Sequence, residues 1–317
     1  MKHIKFFLRI VLIILLPFLL IYGIKRADLA LNPNSENAYL TIIANKMSSL
    51  YSVSSPRLLL MSGSSMAFGV DSDLLSKELE IPVINASPRL NLGSKCMMNE
   101  LKATVRKGDI VLITLEYVVS SKGMCDDNLG VSGFCFAAKE WSHFASFFKK
   151  IEAFAVHGLT NFKFLISDAW QSTPQKSINL NEPISAFFEK KIAKDGDLIN
   201  HLNNPQAKFE VPELPVNVDF SEQIQDLNDF EEFAKQKGVT VFFTFPSYVE
   251  SGYEKNMPII KRIEQQLRTN LNFTILGSPE NSVMDDEFFY DNVFHPNAQG
   301  RKIFSSRLIQ LLEQEQI

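Results

Sequence analysis

The chain has little cysteine, few histidines and, past its first 26 residues, a shortage of positive charge. Three cysteines stand in 317 residues, at Cys96, Cys125 and Cys135, and none belongs to a Cys-x-x-Cys pair. Their spacing fits neither a thiolate metal site nor a dithiol redox motif. Cys125 and Cys135 are near enough to close a small loop in an oxidising compartment, or both are unpaired small hydrophobes; the sequence leaves both readings open. Of five histidines, His3, His143, His157 and His201 lack ligand-like spacing, so no metal and no cofactor are expected. Residues 1–26 hold five basic and no acidic residues, which leaves 27 basic against 36 acidic residues beyond them, a net −9. A surface of that sign disfavours nucleic acid and anionic lipid as ligands.

One long apolar run is present. Residues 6–24 are interrupted only by Arg9. At ~1.5 Å rise per residue such a run nearly spans a hydrocarbon core of ~30 Å. Lys2, Lys5 and Arg9 precede its centre, which predicts a cytoplasmic amino terminus, although Lys25 and Arg26 weaken the asymmetry. No small-x-small cleavage site comes after it, so an uncleaved anchor over 1–26 is favoured over a cleaved signal peptide. The rest of the chain is then expected outside the cytoplasm, periplasmic or at the cell surface. Residues 27–56 read as a connector.

From residue 57 the chain alternates strands and helices. Expected strands cover 58–61, 82–85, 110–114, 239–245 and 273–276. Expected helices cover about 71–79, 94–106 (Ser94 as N-cap, Gly108 past its end), 220–237 (ended by Gly238), 253–268 and 298–314. The apolar strands lack a polar face, as strands buried on both sides do. Residues 118–216 break the alternation, are rich in Phe and Trp, and read as an insertion over the sheet. The expected fold is α/β: a three-layer α/β/α sandwich with a five-stranded parallel sheet over 57–317, plus the transmembrane helix. Ligands bind such sheets at the carboxyl ends of the strands.

Three residues with complementary chemistry fall at that edge. Ser65 comes after the first strand, in Gly63-Ser64-Ser65-Met66-Ala67-Phe68-Gly69. Asp291 and His295 come after the fifth, in Tyr290-Asp291-Asn292-Val293-Phe294-His295-Pro296. A hydroxyl nucleophile, an imidazole base and an orienting carboxylate are the parts of an acyl-transfer site. Each alone has a bland reading: Gly-Ser-Ser turns are common, and a lone histidine is more often a surface residue. Backbone N–H groups at the helix start after Ser65 would stabilise an oxyanion there.

The two segments resemble the first and last blocks of the SGNH (GDSL-type) hydrolases, in their membrane-anchored bacterial members. Ser65 matches the nucleophile of Gly-Asp-Ser-x-x-x-Gly, and Asp291 to His295 with Pro296 match Asp-x-x-His-Pro with one inserted residue. Strict spacing would place Asn292 at the acid. Asp291 is preferred, because a neutral amide cannot stabilise imidazolium. Asn85-Ala86-Ser87 and Gly93 resemble the second block, whose glycine N–H helps form the oxyanion hole. The third block's Asn is missing; Leu115-Glu116-Tyr117 stands there, and Glu116 orients the site, contacts substrate or is structural.

The resemblance implies a membrane-tethered extracytoplasmic serine esterase or O-acyltransferase acting on ester-linked acyl groups. Ser65, His295 and Asp291 would be catalytic, and Gly93, Asn85 and Glu116 would serve the oxyanion or substrate. Its substrates would be acylated small molecules or cell-surface glycans, with a membrane-bound acyl-transfer protein as a partner. The alternative is a non-catalytic SGNH-like module for envelope assembly or glycan binding.

Overall fold

The computed structural model describes Leu16, Leu50 and residues 52–88, 92–122 and 195–317. By contacts the chain divides into two compact units, 1–44 with 126–189 and 45–125 with 190–317. Nearly all described residues belong to the second unit, which holds every element named below. The apolar run over 6–24 lies outside the described residues, Leu16 aside. Among the described residues no helix is long and apolar enough to cross a membrane.

Four strands form one sheet: β1 (Leu58–Met61), β2 (Val83–Asn85), β3 (Ile110–Ile113) and β4 (Thr240–Phe243). Their order is β2-β1-β3-β4, and every pairing is parallel. β1 is therefore central, with Leu59 opposite Ile84 on one side and Val111 on the other. All four β1 side chains are buried, which explains why the strand reads as a continuous apolar run.

Helices cover both faces. α1 (Ser64–Gly69) and α2 (Ser72–Glu78) pack with the last helix, α6 (Ala298–Gln314). α3 (Ser94–Thr104) packs with α4 (Ser221–Lys237), which also meets α5 (Glu250–Asn270). Caps set several boundaries. Asp71 accepts from Leu74 N at the start of α2, and Asn297 accepts from Gln299 N and Gly300 N at the start of α6. Gly238 takes the left-handed conformation that ends α4.

The sheet has four strands rather than the expected five. The segment at 273–276 reaches β4 through one parallel bridge, Phe243 to Ile275, with Leu276 N donating to Phe243 O at 2.7 Å. Only Leu276 in that stretch is fully buried, and Gly277, at φ +66°, turns the chain away at once. A second parallel pair, β5 (Tyr248–Val249) with β6 (Val283–Met284), lies beyond β4 and has no counterpart among the expected strands. Ser94 is a further correction. Gly93, at φ +87°, occupies the N-cap position, and the Ser94 hydroxyl instead donates to Asp226 on α4 at 2.6 Å.

At the amino edge of the sheet, Arg57 and Asp109 form a fully buried ion pair with Nη2 to Oδ2 at 3.1 Å. The other guanidinium N–H groups go to the carbonyls of Leu50, Val53 and Thr104 and again to Asp109. Every donor is satisfied, as a buried charge requires. The pair fixes the entry points of β1 and β3, where Ile110 N also donates to Arg57 O at 2.9 Å.

Candidate active site

Ser65 lies in the first turn of α1, just past the carboxyl end of β1, and is fully buried. The short helix is held by groups from distant parts of the chain. Asn85 Nδ2 donates to Met66 O at 2.8 Å, Leu198 N to Ala67 O at 2.9 Å and Arg301 Nε to Val70 O at 2.7 Å. Asp197 joins three of these elements: it accepts from Asn85 Nδ2, from both the N–H and hydroxyl of Ser72, and from Arg301. A helix this short would not persist alone; the clasp gives it a fixed position.

His295 sits in a tight loop. Tyr290 N donates to His295 O at 2.8 Å, and Phe289 and Pro296 form an antiparallel bridge. The loop brings Asp291 Oδ1 to 2.7 Å from His295 Nδ1. A carboxylate only accepts, so the proton stands on Nδ1 and the lone pair on Nε2. Asn292 also reaches the ring, with Nδ2 2.7 Å from Nδ1 and 3.2 Å from Nε2, while its Oδ1 accepts from Phe294 N. Both neighbours thus reach the ring, Asp291 as an acceptor and Asn292 as a donor. With Nδ1–H committed to Asp291, the Asn292 amide can donate only to Nε2.

Phe68 connects the two segments. It belongs to α1, three residues past Ser65, and its ring stacks on His295 at 3.9 Å with a 2° interplanar angle. On α1, a Cβ at Gly69 would stand 3.1 Å from Pro296, so glycine lets the loop approach. The loop thus lays His295, with Asp291, against α1, the helix that carries Ser65. The Ser65 hydroxyl hydrogen-bonds Ser62 Oγ at 2.8 Å.

Glu116, past the end of β3, is fully buried and faces the Ser65 turn. Its Oε1 accepts from Ser65 N at 2.8 Å and its Oε2 from Gly63 N at 3.2 Å. A side chain at Gly63 would overlap that carboxylate, so glycine here supplies room. Burial pushes the Glu116 carboxyl above the usual carboxylate range, opposed by the Ser65 N–H and, more weakly, by the charge of His295. The Ser65 N–H expected to receive an oxyanion is thus already donated. Asn85 spends both N–H groups on Met66 O and Asp197, and its Oδ1 accepts from Ser87 N at 3.2 Å. It is a tie within the fold and not a group turned to a ligand. Gly93 heads α3.

His201 belongs to this neighbourhood although no sequence pattern marks it. It is fully buried, touches Phe68 at 4.8 Å on ring centroids, and its Nε2 lies 3.0 Å from Pro296 O. A carbonyl only accepts, so Nε2 carries the proton and the ring braces the loop beside His295. Burial holds its pKa down at about 4, with the nearby His295 adding to the effect. Cys96 is disulfide-bonded, whereas Cys125 and Cys135 lie outside the described residues. Among the described residues no group of three or more His, Cys, Asp or Glu is placed to hold a metal ion.

No family model and no curated protein matches the chain. Among solved structures it is similar to a protein assigned to the G-D-S-L family of lipolytic proteins from Desulfitobacterium hafniense DCB-2. The two share 10% identity over 81% of this chain and 99% of that one, with a TM-score of 0.38. A likeness that distant carries no residue role across.

Proposed function

We propose that the protein is a serine-dependent esterase or O-acyltransferase of the SGNH type, tethered by residues 1–26 with the enzyme domain outside the cytoplasm. The observation that carries the reading is the Asp291–His295 pair at 2.7 Å, stacked on the ring of Phe68 from the helix that bears Ser65. Asp291 fixes the tautomer with the lone pair on Nε2; that atom exchanges its Asn292 contact for the Ser65 hydroxyl when it acts as general base. Ser65 would lose its proton to Nε2 as its Oγ bonds the ester carbonyl carbon. The imidazolium then protonates the leaving alcohol. Water or a sugar hydroxyl next gives its proton to Nε2 and attacks the acyl carbon, and the departing Ser65 Oγ takes that proton back from the imidazolium. A disulfide at Cys96 fits an oxidising compartment.

Acylated small molecules or cell-surface glycans are the proposed substrates, with a membrane-bound acyl-transfer partner in the transferase case. Hydrolysis of an aryl acetate tests the reaction: wild type should turn it over, and Ser65→Ala and His295→Ala should not. Absence of turnover in folded wild type and in Glu116→Gln alike counts against it. Intact-mass analysis of membrane-extracted protein tests the tether, since a mature chain beginning beyond Arg26 contradicts it.

One observation favours a second reading, a non-catalytic envelope or glycan-binding module. The Ser65 N–H, which an acyl-transfer site would aim at a substrate oxygen, is bound by Glu116 at 2.8 Å.

A further inference from the structure

Glu116 is a buried carboxylate whose hydrogen bonds come from two neutral backbone N–H groups, Ser65 N at 2.8 Å and Gly63 N at 3.2 Å. Among the described residues no Lys or Arg forms an ion pair with it, unlike Asp109 with Arg57 or Asp197 with Arg301. One N–H meets each oxygen, so the planar O–C–O group spans the turn at the nucleophile. A carboxylate has the shape and charge of the acid that ester hydrolysis releases, and resembles the charge of the intermediate that precedes it. The N–H of a nucleophile's own residue is a common donor to that developing charge.

We infer that Glu116 is an internal ligand of the Ser65 turn, an autoinhibitory latch that must leave the Gly63 and Ser65 N–H groups before a substrate carbonyl can be polarised there. The inference rests on Ser65 as nucleophile and explains how an assembled Asp291–His295 pair coexists with an occupied donor. Two further observations support it. Gly63 leaves the space the carboxylate fills, and a side chain there would collide with it. An ionised carboxylate without a buried Lys or Arg is poorly stabilised, so the latched state is not held by a deep electrostatic well.

The rival account is that Glu116 only shapes the turn. In that case its loss should slow Ser65 and destabilise the fold together. The latch predicts the opposite for reactivity. Glu116→Ala in the full-length protein should raise the rate of covalent labelling of Ser65 by an organophosphonate at least about 10-fold, since a freed oxyanion donor commonly contributes about 10²-fold or more. Free acetate should refill the vacated turn, slowing Glu116→Ala in a concentration-dependent way while leaving wild type unchanged. Glu116→Gln keeps the shape without the charge, and its rate should fall between the two. It also serves if Glu116→Ala does not fold. Labelling that depends on Ser65 in wild type but is no faster in either variant overturns the latch and leaves the esterase reading standing. Acetate-insensitive acceleration overturns it too. No Ser65 labelling in any variant overturns both.

Discussion

The two edges of the central sheet each bury an acidic side chain, and they solve the problem differently. At the amino edge Asp109 is matched by Arg57, and every guanidinium donor has an acceptor. At the carboxyl edge Glu116 is hydrogen-bonded by neutral amides, with His295 near enough to act on its charge. A matched buried pair resists change, because removal of one partner strands a charge. An unmatched carboxylate beside a nucleophile is cheap to displace. On the proposed function the first arrangement serves the fold and the second serves a reaction, so substitutions at the two edges should separate stability from reactivity.

The largest separation is expected between Arg57→Ala and Ser65→Ala. Arg57→Ala should cost about 3–5 kcal/mol in urea unfolding, because Asp109 would stay buried without its partner. Ser65→Ala should leave unfolding within about 1 kcal/mol of wild type, as losing a single neutral hydrogen bond would, and should abolish ester turnover. Equal stability losses at both positions would erase the distinction between the edges.

His295→Ala comes next. Loss of the base should reduce turnover by about 10²–10⁴-fold. Asp291→Asn should reduce it less than that, because the ring stays in place but loses the carboxylate that fixes its tautomer. If Asn292→Ala proves the more damaging of the two neighbours, the orienting role belongs to Asn292.

Much of this site is local in sequence, and that part is legible there. The apolar 58–61 run, the turn after it and the four-residue spacing of Asp291 and His295 each depend on neighbours along the chain. The parallel sheet with β1 central agrees with the alternation of elements. The illegible part depends on register between distant segments. Glu116 meets Gly63 and Ser65 only because β3 lies beside β1, with Ile113 opposite Met61. Its role as an occupant of the turn cannot be read from Leu115-Glu116-Tyr117. Asp197 and Arg301 clasp α1 from 104 residues apart, and His201 joins them from the return of the insertion, where nothing in its spacing marks it. The fifth strand fails for a different reason: an apolar stretch beside Gly277 makes one bridge and then turns out of the sheet.

A smaller effect concerns acid stability. His201 has its pKa lowered from 6.5 to about 4, so the native state resists the proton that the unfolded chain binds. Its contribution is complete above 6.5 and is lost as pH falls toward 4, amounting to about 3 kcal/mol. His201→Gln, which keeps a donor for Pro296 O, should flatten the decline of unfolding free energy between those two pH values. An unchanged decline would mean that His201 is not held neutral. Glu116 has the opposite sign. Its raised pKa makes stability fall as pH rises above 4.5, and Glu116→Gln should remove that slope. The smallest expected change is Asn292→Ala, which should alter turnover by less than about 10-fold because Asp291 still orients the ring.

The identity of the nucleophile is the central claim. Full-length protein treated with an organophosphonate ester should gain the mass of one adduct, and peptide mapping should place it on Ser65. Ser65→Ala should not react, and Ser64→Ala should. An adduct that survives Ser65→Ala, or folded wild type and Glu116→Ala that both fail to react, would contradict the claim that the carboxyl edge is a catalytic site.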